Sequence, residues 1–173
     1  MGAPVLALLA FLILPFQGGE KISVAARLSQ DGVRSGATMQ GALLVTVGKG
    51  WHINSAFPSD ENLVATSASF SPAPGLAVAD VRFPHAVPRK FPFSDTPIEV
   101  YEGSIVVRFT LAAATGTPPG TLILPLDISY QACNDDVCLA PATVHLEIPV
   151  QVLPPDATPA PANPDLFGPE GDR

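Results

Sequence analysis

Two sulfurs stand close together in an otherwise sulfur-poor chain. The 173 residues contain only two cysteines, Cys133 and Cys138, both inside the stretch YQACNDDVCLAP from Tyr130 to Pro141. Strand-like segments flank this stretch, and Asn134-Asp135-Asp136 is turn-forming sequence, so the two cysteines fall on opposite arms of a hairpin. Residues facing each other across antiparallel strands have Cβ atoms about 4.5–5.5 Å apart. A disulfide asks for roughly 3.5–4.5 Å, so a small twist or bulge lets the pair close.

Two kinds of chemistry fit such a pair. A structural disulfide gains stability with the logarithm of the loop it closes, so a loop this short gains little. Thiol–disulfide exchange asks for an accessible sulfur, a second cysteine to resolve the mixed disulfide, and control over the thiolate. The spacing supplies the second cysteine. Asp135 and Asp136 add negative charge that opposes thiolate formation, and their plainer role is as solvated turn residues. Both readings of the pair remain open on the residues alone. No ligand spacing of a zinc site is present among the two cysteines and three scattered histidines, and no nucleophile elbow or paired-acid motif suggests a hydrolase. No metal and no bound cofactor is expected.

The elements around the pair read as strands. Candidate segments are Lys21–Ser29, Gly41–Val47 with a resumption at Trp51–Ile53, Leu63–Phe70, Leu76–Phe83, Ile98–Tyr101, Ser104–Leu111, Thr121–Tyr130 and Ala142–Val152. Turn signals separate them, helical periodicity is absent, and 20 prolines disfavour long helices. The fold class expected is all-β, an immunoglobulin-like antiparallel β-sandwich spanning residues 20–153. Pro125 and Pro149 interrupt strand-like runs, which marks edge positions or bulges. A proline- and aromatic-rich loop covers Pro84–Pro97. The tail, residues 154–173, is rich in Pro, Ala and Asp and is expected to be disordered.

Residues 1–19 read as a signal peptide. The uncharged apolar run from Pro4 to Phe16 spans about 13 residues, short of the roughly 20 that a membrane span needs. Export to an oxidising compartment suits the cysteine pair. The net charge is -7, with nine Lys and Arg scattered among 16 acidic residues, which excludes a nucleic-acid surface.

Together with GWHIN (Gly50 to Asn54) and VYEG (Val100 to Gly103), the cysteine stretch resembles the N-terminal periplasmic domain of the thiol:disulfide interchange protein DsbD, over roughly Lys21 to Leu153. The resemblance implies a monomeric, periplasmic electron carrier of the protein-disulfide reductase type. Such a carrier takes reducing equivalents from a thioredoxin-like donor and passes them to disulfide isomerases and cytochrome c maturation factors. It implies that Cys138 attacks and is attacked and that Cys133 resolves. It also implies a cap loop, about Phe91 to Thr96, with Phe93 or else Phe91 over the sulfurs; the plainer role of both rings is as loop anchors. Near the site it places Trp51, His52, Tyr101 and Tyr130. His52 is a candidate to tune a thiolate, its ordinary alternative being a half-exposed strand histidine. His85 and His145 read as structural. The cysteine spacing is one residue shorter than in the best-known members, so the hairpin turn differs. No membrane domain or thioredoxin-like domain follows in this sequence, so separate proteins, including a membrane electron donor, are the expected partners. The competing function is a non-enzymatic secreted β-sandwich binding module with a structural disulfide.

Overall fold

A computed structural model describes residues 21–92 and 94–168. The signal-peptide reading of residues 1–19 and the shield role of Phe93 lie outside these residues. Among the described residues, twelve strands and one short helix follow in order: β1 (Ile22–Leu28), β2 (Val33–Arg34), β3 (Thr38–Val47), β4 (His52–Asn54), β5 (Ser67–Phe70), β6 (Leu76–Arg82), β7 (Val87–Arg89), β8 (Ile98–Tyr101), β9 (Ser104–Ala113), β10 (Gly120–Tyr130), β11 (Ala132–Cys133), β12 (Ala142–Leu153) and α1 (Pro164–Phe167).

The strands form an immunoglobulin-like β-sandwich with a third small sheet at one end. One main sheet has the order β1-β3-β9-β6, and the other has the order β2-β12-β10-β5. All pairings are antiparallel except β2 with β12. Alternation along the strands directs one face inward: Leu43, Val45, Val107, Phe109 and Leu111 from one sheet meet Leu126, Ile128 and Val150 from the other, all essentially inaccessible. Gly41 belongs to the same inward row because a Cβ there would lie 2.1 Å from the Phe109 ring, so the ring occupies the space a side chain would need.

The small sheet, β11-β4-β8-β7, grows out of the sandwich. β3 leads into β4 through the turn Gly48–Trp51, β10 leads into β11 through Gln131, and β8 returns to β9 through Glu102 and Gly103. Gly50 (φ +79°) and Gly103 (φ +62°) hold left-handed conformations in these turns, which a side-chain-bearing residue adopts only at a cost. Both turns therefore meet at the end of the molecule that carries the cysteines.

Pro125 faces an open stretch of sheet. Its carbonyl accepts from Ser71 N just past the end of β5, so its missing N–H points to the side where β5 has already stopped. On the β10 side Pro149 stands opposite Ile123 on the exposed face, and on the other side β2 joins β12 only at Val152 and Leu153. Each proline is thus locally at an edge although its strand is central.

The tail departs from the expectation of disorder. Residues 154–168 follow a defined course, with Ala160 N donating to Asp31 Oδ1, Asp31 N to Ala160 O, Ala162 N to Ser29 O, and Asn163 Nδ2 to Leu28 O. Arg108 Nη1 then donates to Leu166 O at 2.9 Å. Backbone hydrogen bonding to the β1 edge does what apolar anchoring does elsewhere, and composition does not reveal it.

Candidate functional site

Cys133 and Cys138 are joined by a disulfide with Cα atoms 4.1 Å apart. Asn134 N donates to Val137 O and Leu139 N donates to Ala132 O, one bond on each side of the pair. The cysteines therefore occupy a non-hydrogen-bonded position of the hairpin, the kind in which facing side chains stand closest. No bulge is needed. The turn is held by Asn134, whose Oδ1 accepts from both Asp136 N (2.9 Å) and Val137 N (2.7 Å). This is the Asx geometry that Asn favours.

The two sulfur-bearing residues differ sharply in access. Cys133 is 2% exposed, whereas Cys138 is exposed between exposed Val137 and Leu139. Cys133 lies directly opposite His52 on β4, and Ala132 lies opposite Ile53, which in turn lies opposite Tyr101. The second of these rows points into the sandwich core. The first does not: Cys133, His52 and Phe91 are all buried yet stand outside the core cluster. They form a separate small cluster on the other face of the small sheet.

Phe91 is its lid. Its ring stacks on His52 with centroids 4.5 Å apart and planes 29° apart, and Phe91 is 2% exposed. Arg89 fixes the strand that leads to it, because its Nη1 meets both carboxylate oxygens of Glu102 at 2.7 and 2.8 Å. The Arg89 guanidinium carbon also stands 5.9 Å from the Phe91 ring centre. Strand β7 inside the proline-rich loop escapes a sequence reading because Val-Pro-Arg is short, fully exposed and interrupted by proline.

Beside this cluster a groove of about 470 Å³ runs between the β3–β4 turn and the cysteine hairpin. Lys49, Trp51, His52, Arg89, Glu102 and Asp135 line it. Trp51 is half-buried, packs on the core and carries Lys21 Nζ 4.5 Å above its ring. His52 is buried, not half-exposed as a strand histidine on a small sheet ordinarily is. Burial pushes its pKa below the usual 6.5; Glu102 and Asp135 pull it up and Arg89 pulls it down, each more weakly than burial. Its ring nitrogens make no hydrogen bond among the described residues.

Tyr101 and Tyr130 belong to the core cluster and do not line the groove. Tyr101 Oη donates to Pro84 O at 3.2 Å and accepts from Ala56 N at 3.4 Å, so it supports the base of the loop that carries Phe91. Burial raises the pKa of Tyr130. His145 pairs with Asp127, directly opposite it on the outer face of the β10–β12 ladder, at 2.6 Å. Glu102 lies within the VYEG stretch, but its contact with Arg89 is not readable from sequence, because it joins the exposed strand β7 to the β8–β9 turn through side chains alone.

No curated protein matches the chain significantly. Among solved structures, the N-terminal periplasmic domain of ScsB from Proteus mirabilis is similar at a TM-score of 0.49 with 18% identity, over 74% of this chain and 47% of that one. The chain thus spans about half the length of that ScsB structure. The Neisseria meningitidis DsbD n-terminal domain in the reduced form is similar at 0.43 with 17% identity, over 73% and 90%. The yeast GGA1 GAE domain reaches 0.44 with 8% identity, over 76% and 95%. Likeness at this level does not discriminate function. The sequence itself matches the family described as thiol:disulfide interchange protein DsbD, N-terminal, over residues 24–149, well over half of its length. The chain belongs to the family of DsbD N-terminal domains, whose theme is thiol–disulfide exchange.

Proposed function

We propose that this protein is a periplasmic thiol–disulfide exchange carrier. It passes reducing equivalents from a thioredoxin-like donor to periplasmic substrates such as disulfide isomerases and cytochrome c maturation factors through Cys133 and Cys138. The observation that carries this reading is the unequal access of the two cysteines, one exposed and one buried, on a hairpin that its own hydrogen bonds already hold.

In the first half-reaction a donor thiolate attacks the Cys138 sulfur. A donor–Cys138 bond forms, the Cys133–Cys138 bond breaks, and Cys133 leaves with the electron pair as a thiolate. The donor's second thiolate then attacks its own sulfur in the mixed disulfide and releases Cys138. The donor ends as a disulfide, and the chain ends as a dithiol with two protons taken up. In the second half-reaction the Cys138 thiolate attacks a substrate disulfide, and Cys133 resolves the resulting mixed disulfide. Resolution by Cys133 belongs to this half alone.

The reduction potential tests the proposal. Alkylation and mass analysis across glutathione or dithiothreitol buffers are expected to give a value on the order of -200 to -270 mV, among exchange proteins. A value below about -300 mV identifies a structural disulfide and overturns it.

A further inference from the structure

We infer that His52 is the proton relay of the Cys133 sulfur, moving a proton between that buried atom and the groove beside it. The inference deepens the exchange reading of the Cys133–Cys138 pair and rests on it.

Every turnover of a dithiol moves two protons along with two electrons. Cys138 is exposed and exchanges its proton with water directly. Cys133 is 2% exposed and needs another route. His52 is the titratable residue placed to provide one. It faces Cys133 across the β11–β4 ladder, where opposite side chains share a face, and it also lines the groove. Phe91 fixes the plane of the imidazole by stacking and occupies the ring face, not a ring nitrogen. Neither nitrogen is committed to a hydrogen bond among the described residues.

The charged groups around the ring leave it free for this role. Arg89 on β7 and Glu102 in the β8–β9 turn neutralise each other in a two-oxygen contact, while Asp135 on the hairpin and Lys49 in the β3–β4 turn line the groove with opposite signs. Burial favours the neutral imidazole, which is the form that accepts a proton.

The step that needs this base is resolution. As Cys133 attacks the Cys138 sulfur of a mixed disulfide, its thiol proton passes to a His52 nitrogen, the new Cys133–Cys138 bond forms, and the substrate sulfur leaves as a thiolate. His52 then gives the proton up to the groove. When a donor thiolate opens the disulfide, a proton taken from the groove travels the reverse route through His52 to the departing Cys133 thiolate.

The test follows the reduced full chain with the aromatic disulfide DTNB by stopped flow. The first equivalent of thionitrobenzoate reports attack by Cys138, and the second reports resolution by Cys133. In the wild type, the second-phase rate is expected to fall as the pH drops through the titration of His52, followed independently by the imidazole NMR resonance of the unmodified chain. In His52→Gln the inflection is expected to disappear and the second phase to slow roughly tenfold at pH 7. That is below the usual 10²–10⁴ for general acid–base catalysis because a thiol also ionises unaided. A wild-type second phase whose pH profile ignores the His52 titration overturns the relay, and this measurement requires no variant. A folded His52→Gln chain with the wild-type profile also overturns it. Either result leaves the exchange reading intact, whereas a chain that releases no second equivalent at any pH removes the exchange reading itself.

Discussion

The Phe91 ring roofs the His52 ring at 4.5 Å, and His52 stands directly opposite Cys133 in the β11–β4 ladder. Phe91→Ala removes that roof. Truncating a buried phenylalanine costs about 3–5 kcal/mol in a core, and a loop-held ring sits at the lower end of that range. The expected outcome is a chain destabilised by about 3 kcal/mol in urea titration, with faster alkylation of Cys133 in the reduced form. Unchanged alkylation would mean that the lid does not control access to the sulfur.

Unequal access of the cysteines assigns them different fates. A Cys133→Ser chain, reduced and then mixed with an oxidised substrate protein, is expected to attack the substrate disulfide through Cys138 and to accumulate a mixed disulfide that survives non-reducing electrophoresis. Cys138→Ser is expected to accumulate none and to transfer nothing. Trapping by Cys138→Ser instead would reverse the assignment.

Burial of His52 ties stability to pH. Its folded pKa lies below 6.5, the value expected for the unfolded chain. Above about pH 6.5 both states hold the neutral ring, and this contribution is fully present. As the pH falls toward the folded pKa, the unfolded state takes up a proton that the folded state refuses, and stability is lost at up to about 1.4 kcal/mol per pH unit. Denaturant titrations of the oxidised chain between about pH 5 and 7.5 are expected to show this loss, and His52→Gln is expected to flatten it. A wild type that is flat over the same window contradicts the buried neutral ring.

Asn134 holds the turn through two side-chain hydrogen bonds. At about 1 kcal/mol for a typical hydrogen bond, Asn134→Ala loosens the hairpin most in the reduced chain, where no covalent link compensates. Less pre-organisation makes disulfide formation harder. The reduction potential is expected to rise by on the order of 20 mV, given 30 mV per about 1.4 kcal/mol. A fall in potential would show that the turn strains the pair.

The cysteine hairpin and most of the sandwich were legible because short-range signals determine them. Asn-Asp-Asp specifies its turn locally, and runs such as GALLVTV and SIVVRFTL declare buried strands by composition alone. What stayed hidden depends on contacts distant in the chain. Nothing in GWHIN announces that His52 is covered, since the covering ring belongs to Phe91 on another loop. Tyr101 and Tyr130 flank the site in sequence, but the pleat turns their side chains into the core. The ordered tail was masked because its anchors are backbone groups and Asn163, not apolar side chains.

Lys21 and Leu166 are moored at different places. Gly48 N donates to Lys21 O, and the Lys21 ammonium lies over Trp51, so the start of β1 adjoins the groove. Leu166 is held by Arg108, whose register partner on β3 is Ala42, about 17 Å of strand from Val47 at the groove wall. A fluorophore or affinity handle attached just ahead of Lys21 would crowd an incoming partner, whereas one attached beyond Gly168 starts from the flank of the sandwich. Reporters for following exchange in real time therefore belong on the C-terminal side.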